Sequence, residues 1–485
     1  MKPYRQNQIG GNMQIKKSDF LESKQEDMQK IVKILGEKFE YVSILGTDVF
    51  GTGYNVTTRQ ITVGASADEE RGFVIRVFNG KSFSEYSFNE MNVNEAVSQM
   101  TKTALEDRML FEKSVEHMDY AKSPSDEKIV REYFTDVQMQ IRDISDEEVI
   151  KKLKSAIDKT SAKYDKVAEL QARFSSTQVN KYFFSKNRQL KQSYVYSIAV
   201  GVAVASDGEN VKVGFSPASA DKGIEVLQNI DEVVESAAKE ATDLLSAVPV
   251  EAGEYDIICD PNFTGLIAHE AFGHGAEMDM FVKNRAKGKE YMNKEVASEK
   301  VTMHDGATAL HEVSSYMFDD EGNLGQDTVI IDKGILVSGM CDELSALQLG
   351  VKPTGNGKRE SYRRKAYTRM TNTFFEGKDD KLDDMIAEIK HGYLLENFSS
   401  GMEDPKNWSI QCVAAKGREI KDGKFTGKIV SPLYLTGYVP DLLMSISAAT
   451  SDIKMSGSGY CGKGYKEFVK TSTGGTYIKG KGRLN

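Results

Sequence analysis

The chain has 485 residues, of which 40% are hydrophobic and 28% are charged, and its 63 basic and 72 acidic residues give a net charge of −9. At roughly 100–200 residues per domain, this length predicts two to four globular domains. The acidic balance, without basic blocks, excludes nucleic acid and an anionic membrane as main partners. No apolar run reaches the roughly 18 residues of a membrane span, and no apolar signal segment follows the N terminus, so we expect a cytoplasmic protein.

Residues 1–17 are expected to form a disordered tail, and residues 18–120 an N-terminal α+β domain. An amphipathic helix is predicted from Ser18 to its end at Gly36, because its apolar residues recur at helical spacing. Short β-rich runs follow at 39–45, 60–64, 72–78 and 82–88, and a second helix is predicted at 94–108.

Residues 121–248 are predicted to be a middle α+β region. A polar connector at 121–127 precedes a charged helix at 145–162, whose first turn carries three acidic residues. Residues 165–215 alternate like antiparallel strands, with a hairpin turn at Asp207 and Gly208. Another helix is predicted at 223–247.

Residues 249–485 are predicted to form a β-rich, metal-binding catalytic domain, so that the overall fold class is α+β. Glycine becomes more frequent here and strand signals dominate. Helices are expected only after Asp260 and in the charged segment 379–396. No repeat of 20–50 residues is present, which disfavours a solenoid or a propeller.

One segment of this last domain, residues 255–281, carries the chemistry. A short apolar strand at 255–259 precedes Asp260, which can cap a helix that has Pro261 at its first position. That helix carries His269, Glu270 and His274. Two histidines with an adjacent glutamate are how zinc hydrolases hold a metal and place a carboxylate beside the attacking water.

The spacing of this motif, HExxxH, differs from the HExxH of a regular zinc-binding helix. Residues five apart on an α-helix point roughly 140° away from each other, so both imidazoles could not face one ion. The backbone must therefore deviate near Gly273 and Gly275, which flank His274. Either a π-bulge absorbs the extra residue, or the helix ends at Gly273 and His274 returns from a left-handed turn. Two histidines that only make buried hydrogen bonds are the alternative.

A catalytic zinc needs a third protein ligand, which could be a cysteine, a histidine or a carboxylate. Cys461 lies among four glycines in the segment 456–468, where the backbone could approach a metal closely. A free thiol in a flexible loop is the alternative. The other three cysteines lie in strand-like contexts and are expected in the core: Cys259, Cys341 and Cys412. The four form no CxxC pair, so neither a disulfide framework nor a zinc knuckle is expected.

Four motifs in order along the chain resemble the TldD/PmbA family of metallopeptidases, also called modulators of DNA gyrase. They are HEAFGHGAEMD at 269–279, DDEG at 319–322, RMTNT at 369–373 and the loop around Cys461 and Gly462. The HExxxH motif is typical of the catalytic, TldD-like branch. The resemblance covers nearly the whole chain from about residue 18, and it departs only in the tail after Lys470, which lacks the usual glycine-rich ending.

This resemblance implies a set of roles and partners. His269, His274 and Cys461 would be ligands of one Zn²⁺ per catalytic subunit, and Glu270 would be the catalytic carboxylate. The substrates would be short or unfolded peptides, in some members the precursors of modified peptides. A homodimer, or a heterodimer with a related non-catalytic subunit, would enclose the site. The DDEG and RMTNT segments would shape the cavity wall.

The sequence leaves two other functions open. The chain could be a non-catalytic paralogue that serves as an assembly partner, although the presence of His269 and Glu270 disfavours this. It could also be a zinc amidohydrolase that acts on a non-peptide amide. A second oxyanion donor is expected in a peptidase, and the candidates are His304, His311, Tyr367 and Arg369. The substrate-binding residues stay undetermined.

Overall fold

A computed structural model of the chain describes residues 13–66, 69–113, 123–463 and 467–485. It confirms the α+β class and the β-rich C-terminal region. Within these ranges the α-helices are α1 Asp19–Leu35, α2 Val93–Lys113, α3 Asp146–Ser161, α4 Ile230–Leu244, α5 Pro261–Ala268, α6 Met278–Val282, α7 Glu343–Leu349, α8 Leu382–Ala387 and α9 Val439–Met444. None of these helices combines the length and the apolar character that a membrane crossing requires.

The N-terminal half is built on one twisted sheet that contains both predicted α+β regions. Its strands follow the order β10-β9-β8-β2-β4-β5, with β3 paired to β2 and β6 paired to β9. The boundary predicted at residue 120 lies outside the described residues. The strands of this half are β1 Met13–Gln14, β2 Tyr41–Thr57, β3 Ile61–Ala65, β4 Glu70–Phe78, β5 Phe83–Phe88, β6 Ile129–Phe134, β7 Asp136–Val137, β8 Val167–Ser185, β9 Arg188–Ser206 and β10 Val211–Ala220.

Four helices cover one face of this sheet. Apolar side chains of α1 and α2 pack on β2, β4 and β8, and those of α3 and α4 pack on the other ends of β2 and β8 and on β9. Ser18 caps α1 through a hydrogen bond from the Leu21 amide, and Ser145 forms a capping box with Glu148 at the start of α3. The predicted helices at 18–36 and 145–162 are therefore confirmed.

Three local predictions need correction. Residues 1–12 of the expected tail lie outside the described residues, but Met13–Gln14 forms a strand with Asp136–Val137. The strand predicted at 39–45 continues to Thr57, because β2 pairs with β8 along most of its length. The charged segment 379–396 is helical only in Leu382–Ala387, and its end belongs to a long strand that starts at His391.

The C-terminal half contains a closed barrel and a separate sheet. In the barrel, β11 pairs with β18, β18 with β19, β19 with β21, β21 with β27, and β27 again with β11. The strands of this half are β11 Gly253–Cys259, β12 Met303–Asp305, β13 Thr328–Asp332, β14 Ile335–Leu336, β15 Gly357–Lys358, β16 Tyr367–Thr368, β17 Asn372–Phe375, β18 His391–Asp404, β19 Ser409–Lys421, β20 Lys424–Val430, β21 Leu433–Tyr438, β22 Ala448–Ala449, β23 Lys454–Ser456, β24 Tyr460–Lys463, β25 Glu467–Lys470, β26 Ser472–Gly475 and β27 Ile478–Leu484.

Helix α5 lies between the barrel and the second sheet, which has the order β14-β13-β12-β17-β26-β23. A side chain at Gly265 would approach the backbone nitrogen of Gly474 in β26 to 2.5 Å, so the helix packs against that strand without an intervening side chain. On its other side, Leu266 contacts Gly401 of β18. The end of α5 is thereby fixed by both sheets, and this end carries the HExxxH motif.

Candidate metal centre

The start of α5 follows the prediction from the sequence. Asp260 is the N-cap, its Oδ1 accepts a hydrogen bond of 2.8 Å from the Phe263 amide, and Pro261 occupies the first turn. Burial raises the pKa of Asp260 to about 6, against the lowering effect of the backbone hydrogen bonds that it accepts. Phe263, Leu266 and Ile267 are buried, as expected for the inward face.

The helix then changes to a π-helix over His269–Gly273, and a 3₁₀ turn follows at His274–Ala276. The backbone N–H of His274 donates to the carbonyl oxygen of His269, which is the i to i−5 bond of a π turn. This bond places residues five apart one above the other. The two imidazole rings lie 5.1 Å apart at 85°. Of the two distortions that the spacing predicted, the π-bulge is the one present.

Gly273 has a different role from the one expected. Its φ of −62° and ψ of −68° are helical, so no left-handed conformation is involved. A Cβ at this position would instead lie 2.3 Å from the sulfur of Met370. The missing side chain therefore lets the segment that follows Arg369 pack against the π turn.

Cys461 approaches the two histidines from the hairpin of β24 and β25. Its Sγ lies 3.5 Å from Nε2 of His274, and one ligand atom from each of His269, His274 and Cys461 lies within 4.8 Å of the others. Cys461 is 3% exposed, and the other three cysteines are buried in the core as expected. The structure thus brings together the three side chains that the sequence predicted as ligands.

The electrostatics of this group favour a thiolate. Burial alone would raise the pKa of the Cys461 thiol, but the neighbouring His269 and His274 lower it to about 4. Burial would lower the pKa of His274, yet its contacts with Cys461 and Glu277 raise that pKa well above its ordinary value. The Cys461 thiol and the His274 imidazole therefore hold opposite charges when no other cation is present.

The donor set fits a zinc ion. Zinc–sulfur bonds of about 2.3 Å and zinc–nitrogen bonds of about 2.0 Å place tetrahedral ligand atoms roughly 3.3–3.6 Å apart, and the Cys461–His274 separation of 3.5 Å agrees. Nδ1 of His269 is buried and has no hydrogen-bond partner among the described residues. Two imidazoles and one thiolate are also the ligands that borderline-soft Zn²⁺ prefers.

Glu270 lies beside this group, and a glycine leaves room for it. A Cβ at Gly401 of β18 would lie 2.8 Å from Cγ and 2.9 Å from Oε1 of Glu270, so any larger residue there would displace the carboxylate. His269, Glu270, His274 and Cys461 all line one cavity of about 790 Å³. The carboxylate and the candidate ligands therefore face the same space.

Two further carboxyl groups at this cavity were not identified from the sequence. Glu277 is fully buried, and its Oε2 lies 3.2 Å from Nδ1 of His274. Such a contact fixes the orientation of a ligating imidazole. The spacing His274-x-x-Glu277 is a signal that could have revealed it. Glu403 also lines the cavity, and neither of its carboxyl oxygens has a hydrogen-bond partner among the described residues.

Of the four candidate oxyanion donors, only Tyr367 lines the cavity. His304 bonds Asp327 and stacks on Phe374, and His311 bonds Asp221 on the surface. Arg369 is 1% exposed, and its guanidinium donates to main-chain carbonyl oxygens of the Cys461 hairpin. His304 and His311 are therefore wrong as candidates, and Arg369 lies behind the site.

That the DDEG and RMTNT segments shape the wall of a cavity enclosed by two subunits stays a prediction. Neither segment lines the cavity of the single chain. Asp320 and Glu321 of DDEG form buried ion pairs with Lys181 and Arg76 of the N-terminal sheet. The RMTNT segment runs behind the hairpin, and its Asn372 begins strand β17.

Comparison with known proteins agrees with this architecture. A family profile described as PmbA/TldA metallopeptidase C-terminal domain matches residues 252–475. A metalloprotease of Methanothermobacter thermautotrophicus is 32% identical over 57% of this chain, and the alignment spans 60% of that relative. A metalloprotease of Synechocystis is 30% identical over 65% of this chain and 68% of its own length. A zinc metalloprotease TldD homolog of Saccharolobus solfataricus is 30% identical over 62% of this chain and 67% of its own length.

The fold agrees as well. The crystal structure of TldE from Thermococcus kodakarensis superimposes with a TM-score of 0.74, covers 94% of this chain and 99% of that protein, and shares 18% sequence identity. At this identity the likeness establishes the fold alone, whereas the sequence relatives establish descent. The chain therefore belongs to the TldD/PmbA family of metallopeptidases.

Proposed function

We propose that the chain is a zinc-dependent peptidase in which His269, His274 and Cys461 hold one zinc ion and Glu270 is the catalytic base. The observation that carries this proposal is the convergence of two imidazoles and one thiol from distant parts of the chain within 4.8 Å. The name of the Saccharolobus relative, a zinc metalloprotease, supports the same metal.

Zinc, when bound, supplies a Lewis acid that polarises the scissile carbonyl and lowers the pKa of water toward about 7. Glu270 then removes the proton from the attacking water and delivers it to the leaving amine, as a general base and acid. Glu277 orients His274 through its contact with Nδ1. Tyr367 lines the same cavity and is the remaining candidate for stabilising the oxyanion.

The cavity supports short or unfolded peptides as substrates. Its volume of about 790 Å³ accommodates a few amino-acid residues but excludes a folded domain. The walls combine apolar and aromatic side chains with charged ones, and the apolar and aromatic members are Met280, Met402, Pro405, Tyr367 and Tyr460. A wall of this mixed kind suits extended chains of varied sequence.

The test uses the purified chain of 485 residues. Zinc content is measured on the protein as isolated, after removal of zinc by a chelator, and after zinc is restored, and each form is assayed on an unstructured fluorogenic peptide. We expect about one zinc per chain and activity that disappears and returns with it. A fully zinc-loaded protein that cleaves no peptide but hydrolyses simple amides would contradict the peptidase assignment.

We further propose that a second subunit of this family, an identical copy or a related chain, covers an open face of the N-terminal sheet. Strand β10 is an edge strand, and Val211, Val213 and Phe215 are 66%, 57% and 44% exposed. Their neighbours in register on β9 include Val204 and Val202, which point to the same face and are only partly buried. An apolar patch of this kind typically marks an interface.

The oligomeric state tests this second proposal. The molar mass of the wild type and of a Val213→Lys variant is measured by light scattering, alone and after co-expression with a related subunit. We expect the wild type to be a dimer in one of these two preparations, and the variant to be a monomer in both. A variant that dimerises as tightly as the wild type would place the interface elsewhere.

A further inference from the structure

Three buried charged side chains adjoin the candidate metal centre, and none of them is a candidate ligand or the catalytic base. They are Glu277, Arg369 and Lys463, whose side chains are 1%, 1% and 13% exposed. Burying charges costs free energy unless each charge finds a partner. The hydrogen-bond and ion-pair partners of these three side chains show which parts of the metal centre they hold in place.

Arg369 holds the hairpin that carries Cys461. One of its terminal nitrogens donates to the carbonyl oxygen of Cys461 on β24, and the other donates to that of Glu467 on β25 at 3.1 Å. The guanidinium therefore spans both strands of the hairpin. Because a guanidinium is planar and rigid, two such bonds restrict the hairpin in position and in tilt.

Glu277 lies between the Arg369 guanidinium and His274, the other candidate ligand. Its Oε2 lies 3.2 Å from Nδ1 of His274 and 3.1 Å from Nζ of Lys463, and its Oε1 lies 3.9 Å from Nε of Arg369. One carboxylate therefore faces a candidate metal ligand on one side and two cations on the other.

Lys463 provides a second attachment of the same hairpin. It lies two residues after Cys461, and its Nζ donates to Oδ1 of Asp279 at 2.7 Å and to the carbonyl oxygen of Thr368 at 2.9 Å. Asp279 belongs to α6, which follows the π turn. The hairpin is thus fastened both to the segment that carries His274 and to the segment that carries Arg369.

We propose that Arg369, Glu277 and Lys463 form a charged clamp that positions Cys461 against His274 before the metal binds. The three residues act through the ligands and are not candidate ligands themselves. This inference rests on the proposed function, because it concerns the ligands of the same zinc ion.

The test measures zinc affinity by competition with a chromophoric chelator. Arg369→Met keeps the length of the side chain and removes both hydrogen bonds, so we expect the dissociation constant for zinc to rise about 10–100-fold. Arg369→Lys can still reach one carbonyl and should give an intermediate value. Arg364→Met is the matched control, because it removes a nearby exposed arginine whose ion pair with Glu360 is 3.6 Å long.

A second variant and a second readout separate positioning from general stability. Glu277→Gln keeps the shape of the side chain, removes its charge, and should also weaken zinc binding at least 10-fold. A positioning role predicts that zinc raises the melting temperature of the variants less than that of the wild type. If Arg369→Met does not fold, Arg369→Lys and Glu277→Gln decide the question.

Each outcome has a definite meaning. Weaker zinc binding by folded variants, with partial recovery in Arg369→Lys, supports the clamp. Folded variants that bind zinc as tightly as the wild type overturn the clamp and leave the proposed function intact. A wild-type chain that binds no zinc overturns both.

Discussion

Charged groups are buried in two regions of the molecule: the interface between the N-terminal sheet and the C-terminal half, and the candidate metal centre. The two regions differ in whether these groups have partners within the chain. At the interface, Arg359 donates to both carboxylate oxygens of Glu85 at 2.9 and 2.6 Å, and Arg76 pairs with Glu321. Each of these carboxylates has a direct partner within the chain. These ion pairs therefore hold the N-terminal and C-terminal halves of the chain together.

At the metal centre, polar atoms are left without partners. Nδ1 of His269 and both carboxyl oxygens of Glu403 have no hydrogen bond to any described residue, although all three atoms are buried. An unpartnered buried polar group costs roughly 1–3 kcal/mol. The carboxylates of the interface are paired within the chain, whereas these atoms of the metal centre lie beside the cavity where we propose that a metal and a substrate bind. The predictions below test this difference, beginning with the largest expected effect.

Replacing Glu270 by Gln should strongly slow catalysis without removing zinc from the site. The amide cannot accept the proton of the attacking water, so we expect the turnover number to fall about 10²–10⁴-fold. Zinc content, measured on the same preparation, should stay near one per chain. The control is Glu290→Gln, an exposed carboxylate of a surface turn, which should retain wild-type activity. Near-normal turnover by Glu270→Gln would exclude this residue as the base.

Replacing Cys461 by Ala should remove zinc itself. A site with two imidazoles and no thiolate lacks the charge and the third ligand of a catalytic zinc site, so we expect affinity to fall roughly a thousandfold. Chelator competition measures this value. Cys259→Ala is the matched control, because Cys259 is a buried residue of β11 that should affect only stability. Equal affinity in Cys461→Ala would show that the third ligand lies elsewhere.

Features of the site that depend on neighbouring residues could be predicted from the sequence, whereas features that depend on distant residues could not. The distortion near Gly273 followed from the HExxxH spacing alone, because helix geometry does not allow both imidazoles to face one ion. Cys461 lies 187 residues after His274. Composition made it a candidate, and only the family resemblance singled it out.

The features that were missed arise from tertiary contacts. Glu277 and Lys463 are ordinary surface-type residues in the sequence, and they become a buried pair only when the hairpin meets the π turn. In the fold, the segment 379–396 has a helical charge pattern, but its second part closes the barrel between β11 and β19. In this part of the segment, hydrogen bonding of β18 to a strand on each side outweighed the helical propensity of the local sequence.

Replacing Glu85 by Gln should weaken the interface. Burial alone would raise the pKa of Glu85, but Arg359 and Arg76 lower it to about 2, against an ordinary value of 4.5. Because the folded-state pKa is depressed, the stabilisation is present above pH 4.5 and is lost as the pH falls toward 2. We expect the metal-free variant to be about 2 kcal/mol less stable at pH 7.

Urea unfolding between pH 7 and pH 3.5 measures this effect. The difference between wild type and Glu85→Gln should be constant down to about pH 5 and then shrink. Glu106→Gln is the matched control, since Glu106 forms an exposed pair with Lys102 at 4.0 Å and should change stability by less than about 0.5 kcal/mol. A difference that grows as the pH falls would contradict the ion-pair explanation.

Replacing Glu403 by Gln should change stability in the opposite direction to Glu85→Gln. Burial raises the pKa of Glu403 to about 9, even though His274 lowers it, so the folded chain retains a proton that the unfolded chain loses above pH 4.5. The stability of the metal-free wild type should therefore fall as the pH rises from 4.5 toward 9. Gln removes this dependence, so we expect the variant to be equally stable at pH 5 and more stable than the wild type at pH 8.5. Thermal unfolding of the metal-free proteins at the two pH values measures it. A Glu403→Gln variant that is less stable than the wild type at pH 8.5 would mean that this carboxylate has a partner, as Glu85 does, and the contrast between the two regions would not hold.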